Sequence, residues 1–263
     1  NLNSPAAPPL EFPMGPMIAY SHATRVSALN VIGGQKVISG SRDGCIRLWT
    51  FEASSNQGKG GFVLSKTLAG HAREVTGLAV AENVLWSSSI DGSIRIWDLA
   101  SGNCQHAITN SGTNAQQSGQ PPAGGGQGHK DAVTCLIPFP SPSGTFILTS
   151  SLDGDIKAWN GSTGQCVASE SHGEGVVTIA MAADQKNNQV LLIGLESGNI
   201  MVRNLLQTPN MPAFTLIMML SLQYSVGHRG PVKALAQGPS STFYSGGGDG
   251  KVNVMQFAGD LGI

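Results

Sequence analysis

The sequence predicts an all-β fold in which one small antiparallel sheet recurs along the chain. Three observations carry that prediction. The string SGSRDGCIRLW (39–49) returns as SSSIDGSIRIW (87–97) and TSSLDGDIKAW (149–159), with weaker copies IGLESGNIMV (193–202) and SGGGDGKVNVM (245–255). A His-x-x-x-Val pair precedes each copy, at His22/Val26, His71/Val75, His129/Val133, His172/Val176 and His228/Val232. Glycine supplies 35 of 263 residues and charged residues only 12%, against roughly 7% and 25% in ordinary domains. That balance suits many short strands joined by tight turns, where glycine provides the positive φ.

Residues 22–66 form the first copy, with an insert at 51–62 after Trp49. The second (67–110) shows the local logic most fully. VTGLAVA (75–81) and VLWSSSI (84–90) are β-prone runs broken at Glu82-Asn83. Asp91-Gly92 is a hairpin signal. SIRIWDL (93–99) then sets Ile94 and Ile96 on one face and Trp97 and Leu99 on the other, as expected of a strand buried between two sheets. Ser101-Gly102 turns the chain into a fourth strand near CQHAITN. Residues 105–128, rich in Gly, Gln and Pro and without periodicity, read as a flexible insert before the third copy (128–168). Copy four (169–224) carries Gly194, Glu196 and Val202 at the serine, aspartate and tryptophan positions, an insert at 205–213, and a fourth strand from Phe214. Copy five (225–257) keeps His228 and Asp249 but has Gly247 and Met255. Residues 1–21 form an N-terminal extension in which 14–20 could supply a closing outer strand. A four-stranded sheet this small cannot hide its own faces. Five of them stacked around an axis make a β-propeller.

The units resemble the WD40 (WD-repeat) family, in which Gly-His opens and Trp-Asp closes each repeat. Gly70-His71 with Trp97-Asp98 fits fully, and Gly128-His129 with Trp159-Asn160 nearly so; the resemblance covers residues 22 to 257. It implies buried tetrads: His22, Ser41, Asp43, Trp49; His71, Ser89, Asp91, Trp97; and His129, Ser151, Asp153, Trp159. It also implies a partner-binding face at Arg25, Arg42, Glu74, Ile90, Ala132 and Leu152, where Arg25 and Arg42 would share one blade and could meet an acidic partner. The family usually has seven blades, so the five visible here would belong to a larger ring; a closed five-bladed ring is the alternative. The chain begins at Asn1, which fits a fragment. The stretches VISGSRDGCIRLW, LAGHAREVTGLAVAENVLWSSSIDGSIRIWDL and PVKALAQGPSSTFYSGGGDGKVNVMQF are similar to the C-terminal repeats of plant and algal proteins that join CCCH zinc fingers to WD repeats. The implied function is a non-catalytic scaffold for other proteins, without cofactor. The propeller of an RNA-associated zinc finger protein and a substrate adaptor for ubiquitin ligation are the alternatives.

Composition narrows the rest. A net charge of −1 argues against a broad grip on nucleic acid or on an acidic membrane. No apolar run reaches the roughly 20 residues that span a bilayer, and the N-terminus lacks a secretory signal pattern. Cys45, Cys104, Cys135 and Cys166 lie too far apart for a zinc motif or a disulfide scaffold. They suggest an intracellular protein, cytoplasmic or nuclear. His-Ser-Asp sets invite a hydrolase triad, yet each recurs at one repeat position, which a single active site would not require. GGGDGK (246–251) lacks phosphate-loop spacing and reads as a hairpin turn.

Overall fold

Twenty strands follow one another along the residues that the computed structural model describes: 22–52, 61–81, 83–110, 112–113, 128–142, 144–208, 211–220 and 227–257. The first sheet holds β1 (Val26–Ile32), β2 (Lys36–Ser41), β3 (Cys45–Glu52) and β4 (Gly61–Ala69). The second holds β5 (Val75–Ala81), β6 (Val84–Ser89), β7 (Ile94–Asp98), β8 (Cys104–Thr109) and the short β9 (Gly112–Thr113). The third is β10 (Val133–Ser141), β11 (Gly144–Ser151), β12 (Asp155–Asn160) and β13 (Cys166–Ser171). The fourth is β14 (Val176–Ala183), β15 (Gln189–Leu195), β16 (Ile200–Thr208) and β17 (Met211–Leu220). The fifth is β18 (Val232–Gln237), β19 (Thr242–Gly247) and β20 (Val252–Gln256). Within every sheet each strand pairs antiparallel with its neighbour in sequence.

The same turn joins the second and third strands of every sheet. An amide bonds back three residues in each: Gly44 to Ser41, Gly92 to Ser89, Gly154 to Ser151, Gly198 to Leu195 and Gly250 to Gly247. Each of these glycines has φ between 75° and 90°, a region costly for any residue with a Cβ.

The apolar alternation of the strands is spent between sheets. Ile38, Ile46 and Leu48 of the first meet Val75, Leu78 and Leu85 of the second. Trp86, Ile94 and Ile96 meet Val133, Leu136 and Ile147. Leu148 and Ile156 meet Val176, Ile179 and Leu191. Val190, Leu192 and Val202 meet Phe243 and Phe257, whose rings stack 5.0 Å apart. At roughly 25 cal/mol per Å² of buried apolar area, these contacts are the main favourable term. The two end faces differ. On β1, Val26, Leu29 and Val31 are 47%, 68% and 63% exposed, although Val75 and Leu78 at the matching positions of β5 are buried. On β20, Val252 and Val254 are 72% and 64% exposed, whereas Ile94 and Ile96 of β7 are buried.

Several expected boundaries move. β4 and β13 run to Ala69 and Ser171, past the expected repeat ends at 66 and 168, because pairing with the third strand continues up to the next histidine segment. Residues 105–109 belong to β8, paired with β7, so they are not part of a flexible insert. The expected insert at 205–213 is largely a hairpin, since β16 and β17 stay paired from Ile200↔Leu220 out to Thr208↔Met211. The fifth sheet has three strands among the described residues. The closing strand expected at 14–20 lies outside them.

Candidate interaction face and the tetrads beneath it

The tetrads sit at the end of the sheets that carries the repeated turn, and their hydroxyl is not the expected one. His22 Nε2 lies 2.8 Å from Ser39 Oγ, and Trp49 Nε1 donates to the same oxygen at 2.8 Å. His71 and Trp97 converge on Ser87 at 2.7 and 2.8 Å; His129 and Trp159 converge on Thr149, each at 2.8 Å. Ser41, Ser89 and Ser151 stand two residues further on. Strand register explains the correction. Trp97 is paired with Leu85, so Ser87 is its diagonal neighbour on the same face, within reach of a long aromatic side chain. Ser89 is one alternation further and serves the turn instead: its Oγ accepts from the Asp91 amide at 3.1 Å and donates to the Arg73 carbonyl. Ser151 repeats both bonds with Asp153 and Asp131, and Ser41 takes the Asp43 amide at 3.4 Å.

The protons follow from the groups. An indole N–H can only donate, so the hydroxyl accepts from it and passes its own hydrogen to His Nε2. The opposite imidazole nitrogen faces the aspartate: His129 Nδ1 donates to Asp153 directly, whereas His71 Nδ1 donates to Ser93 Oγ at 3.0 Å, which in turn donates to Asp91. His Nδ1 lies 3.6, 3.4 and 3.1 Å from Asp43, Asp91 and Asp153. Burial holds His22 and His71 below the ordinary histidine pKa, which keeps them neutral. Burial alone would raise Asp91, but hydrogen bonds from His71, Ser93 and the Ala72 amide outweigh it and leave the carboxyl well below the usual range. Asp153 is held low in the same way by His129 and the Asp155 and Lys130 amides. Ser39, Ser87 and Thr149 are at most 3% exposed, so these hydroxyls are not presented to a substrate as a nucleophile would be.

Copy five retains more of the set than its sequence suggested. His228 Nε2 bonds Ser245 Oγ at 2.8 Å, and its Nδ1 lies 3.0 Å from Asp249, whose carboxyl is held at about 2 chiefly by the Arg229 amide. Gly247 is therefore not a lost tetrad serine. A Cβ there would stand 2.3 Å from the His228 ring, so the small residue makes room for the histidine.

Copy four is read one residue too early in the sequence. Leu195, not Gly194, bonds the turn glycine, and the Leu195 amide bonds Asn199 as the Ser89 amide bonds Ser93. Ser197 therefore holds the aspartate position and Arg203, paired with Leu191, the tryptophan position. Glu174 supplies the carboxylate from the histidine segment and accepts from the Ser197 amide and hydroxyl, both at 3.0 Å. Arg203 is paired with Glu170 of β13. His172 Nδ1 donates to the Gly154 carbonyl at 3.3 Å, and its Nε2 has no partner among the described residues. Burial, followed by the nearby Arg203 charge, lowers the His172 pKa.

Beside these sets, the residue before each turn aspartate bonds through its amide to the residue before each strand-opening valine. The pairs are Arg42 with Arg25, Ile90 with Glu74 and Leu152 with Ala132. The sequence did not single out the equivalent pairs Glu196 with Gly175 and Gly248 with Pro231; the turn glycine, as anchor of the frame, would have given both. Arg25 is already engaged, since its Nη2 reaches both Glu74 carboxylate oxygens at 2.9 and 2.8 Å. Arg42 is exposed, Ile90 and Leu152 are half-buried and Ala132 is buried. A cavity of about 480 Å³ opens between the second and third sheets, lined by Ile90, Thr109, Asn110, Lys130, Asp131 and Ala132 among others. The four cysteines are free thiols. Among the described residues there is no group of ligands suited to a metal ion, and no helix long and apolar enough to cross a membrane.

The family model described as "WD domain, G-beta repeat" matches residues 17–50, 62–98, 124–160 and 220–254, more than half of the chain. Zinc finger CCCH domain-containing protein 17 of Oryza sativa subsp. japonica is 26% identical over 229 residues, covering 87% of this chain and 45% of the relative. Zinc finger CCCH domain-containing protein 62 of Arabidopsis thaliana is 28% identical over 74% of this chain and 39% of its own. F-box/WD repeat-containing protein sel-10 of Caenorhabditis elegans is 30% identical over 47% of this chain and 17% of its own. The chain thus spans less than half the length of these curated relatives. A chain from the crystal structure of the mitotic checkpoint complex superposes with a TM-score of 0.65 at 20% identity, covering 90% of this chain and 63% of that one, and shares the fold.

Proposed function

The chain belongs to the WD domain, G-beta repeat family, and on that premise we propose that it is a non-catalytic scaffold offering its turn-bearing face to other proteins. One observation carries this reading. The histidine, hydroxyl and acid sets are consumed in holding sheets together, while the residues between them differ from sheet to sheet: Arg42, Ile90, Leu152, Glu196 and Gly248. A constant framework beneath a varied surface suits recognition better than turnover. The test is the double variant Ile90→Asp/Leu152→Asp, examined by quantitative affinity capture beside the parent chain. Loss of specific partners at unchanged Tm is expected; an unaltered partner set would place the binding face elsewhere.

A longer parent carrying CCCH fingers is favoured over a ubiquitin-ligase adaptor, because the zinc finger relatives align over 87% and 74% of this chain and the F-box protein over 47%. Any RNA contact would then belong to fingers outside these residues. Crosslinking of this chain to RNA at physiological salt is expected to fail. The free thiols support an intracellular setting. The exposed apolar faces of β1 and β20 support a larger, seven-bladed ring over closure by residues 14–20. Fast amide exchange along β20 would fit the larger ring, and slow exchange would favour closure.

A further inference from the structure

The wedge between the first and second sheets, toward the end opposite the repeated turn, holds a cavity of about 420 Å³ that Trp49 of the first tetrad also lines. Its apolar wall includes Ile32, Ile38, Leu48 and Leu99; Lys36, Lys66 and the Asp98 carboxylate, which accepts from the Ser101 amide, also line it, two positive charges against one negative. The next wedge shows what this space accommodates. Ile38 of β2 and Trp86 of β6 occupy the same position, each three residues before the turn serine. Trp86 is fully buried against the third sheet, among Ala81, Ile96 and Ile147, and its Nε1 donates to the Gly161 carbonyl at 3.2 Å. The carbonyl matching Gly161 in the second sheet is Leu99, since both follow the tetrad tryptophan by two residues. In the first wedge an isoleucine replaces that indole, and the Leu99 carbonyl accepts from Lys66 Nζ at 3.4 Å, with the Ala100 carbonyl also bound to it.

We propose that this wedge is a second docking site, which takes the aromatic side chain of a partner protein's segment with an acidic residue beside it. The aromatic group fills the space that Trp86 fills one sheet later, and an indole N–H bonds the Leu99 carbonyl. Lys66 is thereby released to pair with the adjacent carboxylate. Lys36 forms no ion pair among the described residues and adds a second positive charge at the mouth. The volume lies within the roughly 300–1,000 Å³ typical of ligand pockets. The apolar wall would provide affinity and the lysines orientation. This site lies at the far end of the sheets from the face proposed above, so either can fail without the other.

The test uses two probes, indole and the peptide acetyl-Asp-Trp-Asp-amide, in chemical-shift titrations of the whole chain. Both should saturate, with shifts centred on Ile32, Ile38, Leu48 and Leu99, and the peptide should bind more tightly. Ile38→Trp, which supplies the missing indole from within, should weaken both by about tenfold or more while keeping the fold. Should that variant not fold, Leu99→Phe fills the cavity from its floor and carries the same expectation. Lys36→Glu should weaken the peptide by several-fold and leave indole unchanged. No saturation by indole up to about 10 mM, or undiminished binding by a folded filled variant, overturns the proposal. Binding of indole but not of the peptide also overturns it, in favour of a free small molecule.

Discussion

Apart from the short β9, the second and fourth sheets share one strand order and one turn hydrogen bond, but their polar sets differ. In the second, His71, Ser87, Asp91 and Trp97 form a connected polar set. In the fourth, the equivalent positions hold His172, Ile193, Ser197 and Arg203, and the set has come apart. What persists is the glycine turn and the apolar contact with the neighbouring sheet: Val176, Ile179, Leu191 and Ile193 are all buried. The difference teaches that the turn and the apolar wedge suffice to build a blade. The tetrad adds a rigid link from the histidine segment through the second strand to the third. Such networks gain from being complete, because each unpaired buried member costs a desolvation penalty.

That comparison can be broken experimentally. Trp97→Ala should destabilise by roughly 3–5 kcal/mol through cavity formation. Arg203→Ala, at the same position, should cost less, about 1–3 kcal/mol, since it strands the Glu170 carboxylate, which keeps some contact with water. Denaturant midpoints read both, and equal losses would mean the tetrad adds nothing to its blade. His71→Ala should cost roughly 1–3 kcal/mol by stranding Ser87 and Asp91. His172→Ala should cost less, because only one of its ring nitrogens is engaged.

The two serines sharpen the point further. Ser87→Ala should cost about 1–3 kcal/mol, as it leaves the indole and imidazole unpaired. Ser89→Ala should cost about 0.5–1.5 kcal/mol, through weaker turn bonds. The reverse order, by thermal or urea unfolding, would restore the assignment expected from sequence.

The smallest effect concerns pH. His71 and His172 have folded-state pKa values below the ordinary one near 6.5. The unfolded chain therefore binds more protons as the pH falls below about 6.5, and stability declines in that direction. Asp91 and Asp153 are also lowered, so their contribution is complete above about pH 4 and is lost as the pH falls further. A urea midpoint that rose between pH 7 and pH 5 would contradict the neutral, buried histidines. His71→Gln should flatten the first decline.

Much of this architecture was legible because its signals are local. The Asp-Gly turns, the alternating runs on either side and the histidine period need only neighbouring residues to be read, and they yielded the sheets and their order. The sequence leaves the tetrad hydroxyl ambiguous because Ser87 and Ser89 lie on the same strand face. Only the pairing of Leu85 with Trp97 says which of them the indole reaches. In copy four Glu196 mimics an aspartate one position early, and a one-residue slip exchanges the faces of a strand. Glycine at 198 held the correct frame: a Cβ there would meet the His228 carbonyl at 2.1 Å.

The sequence by itself determined the repeat, the strands and the identity of the buried histidines, because turn chemistry and period-two alternation act over a few residues. Tertiary structure alone decided which hydroxyl joins each tetrad, that Arg25 is engaged by Glu74, and that one wedge is filled by Trp86 while its neighbour stays open. These depend on register and on contacts between sheets, where groups 49 and 75 residues apart meet. No local pattern encodes such distances.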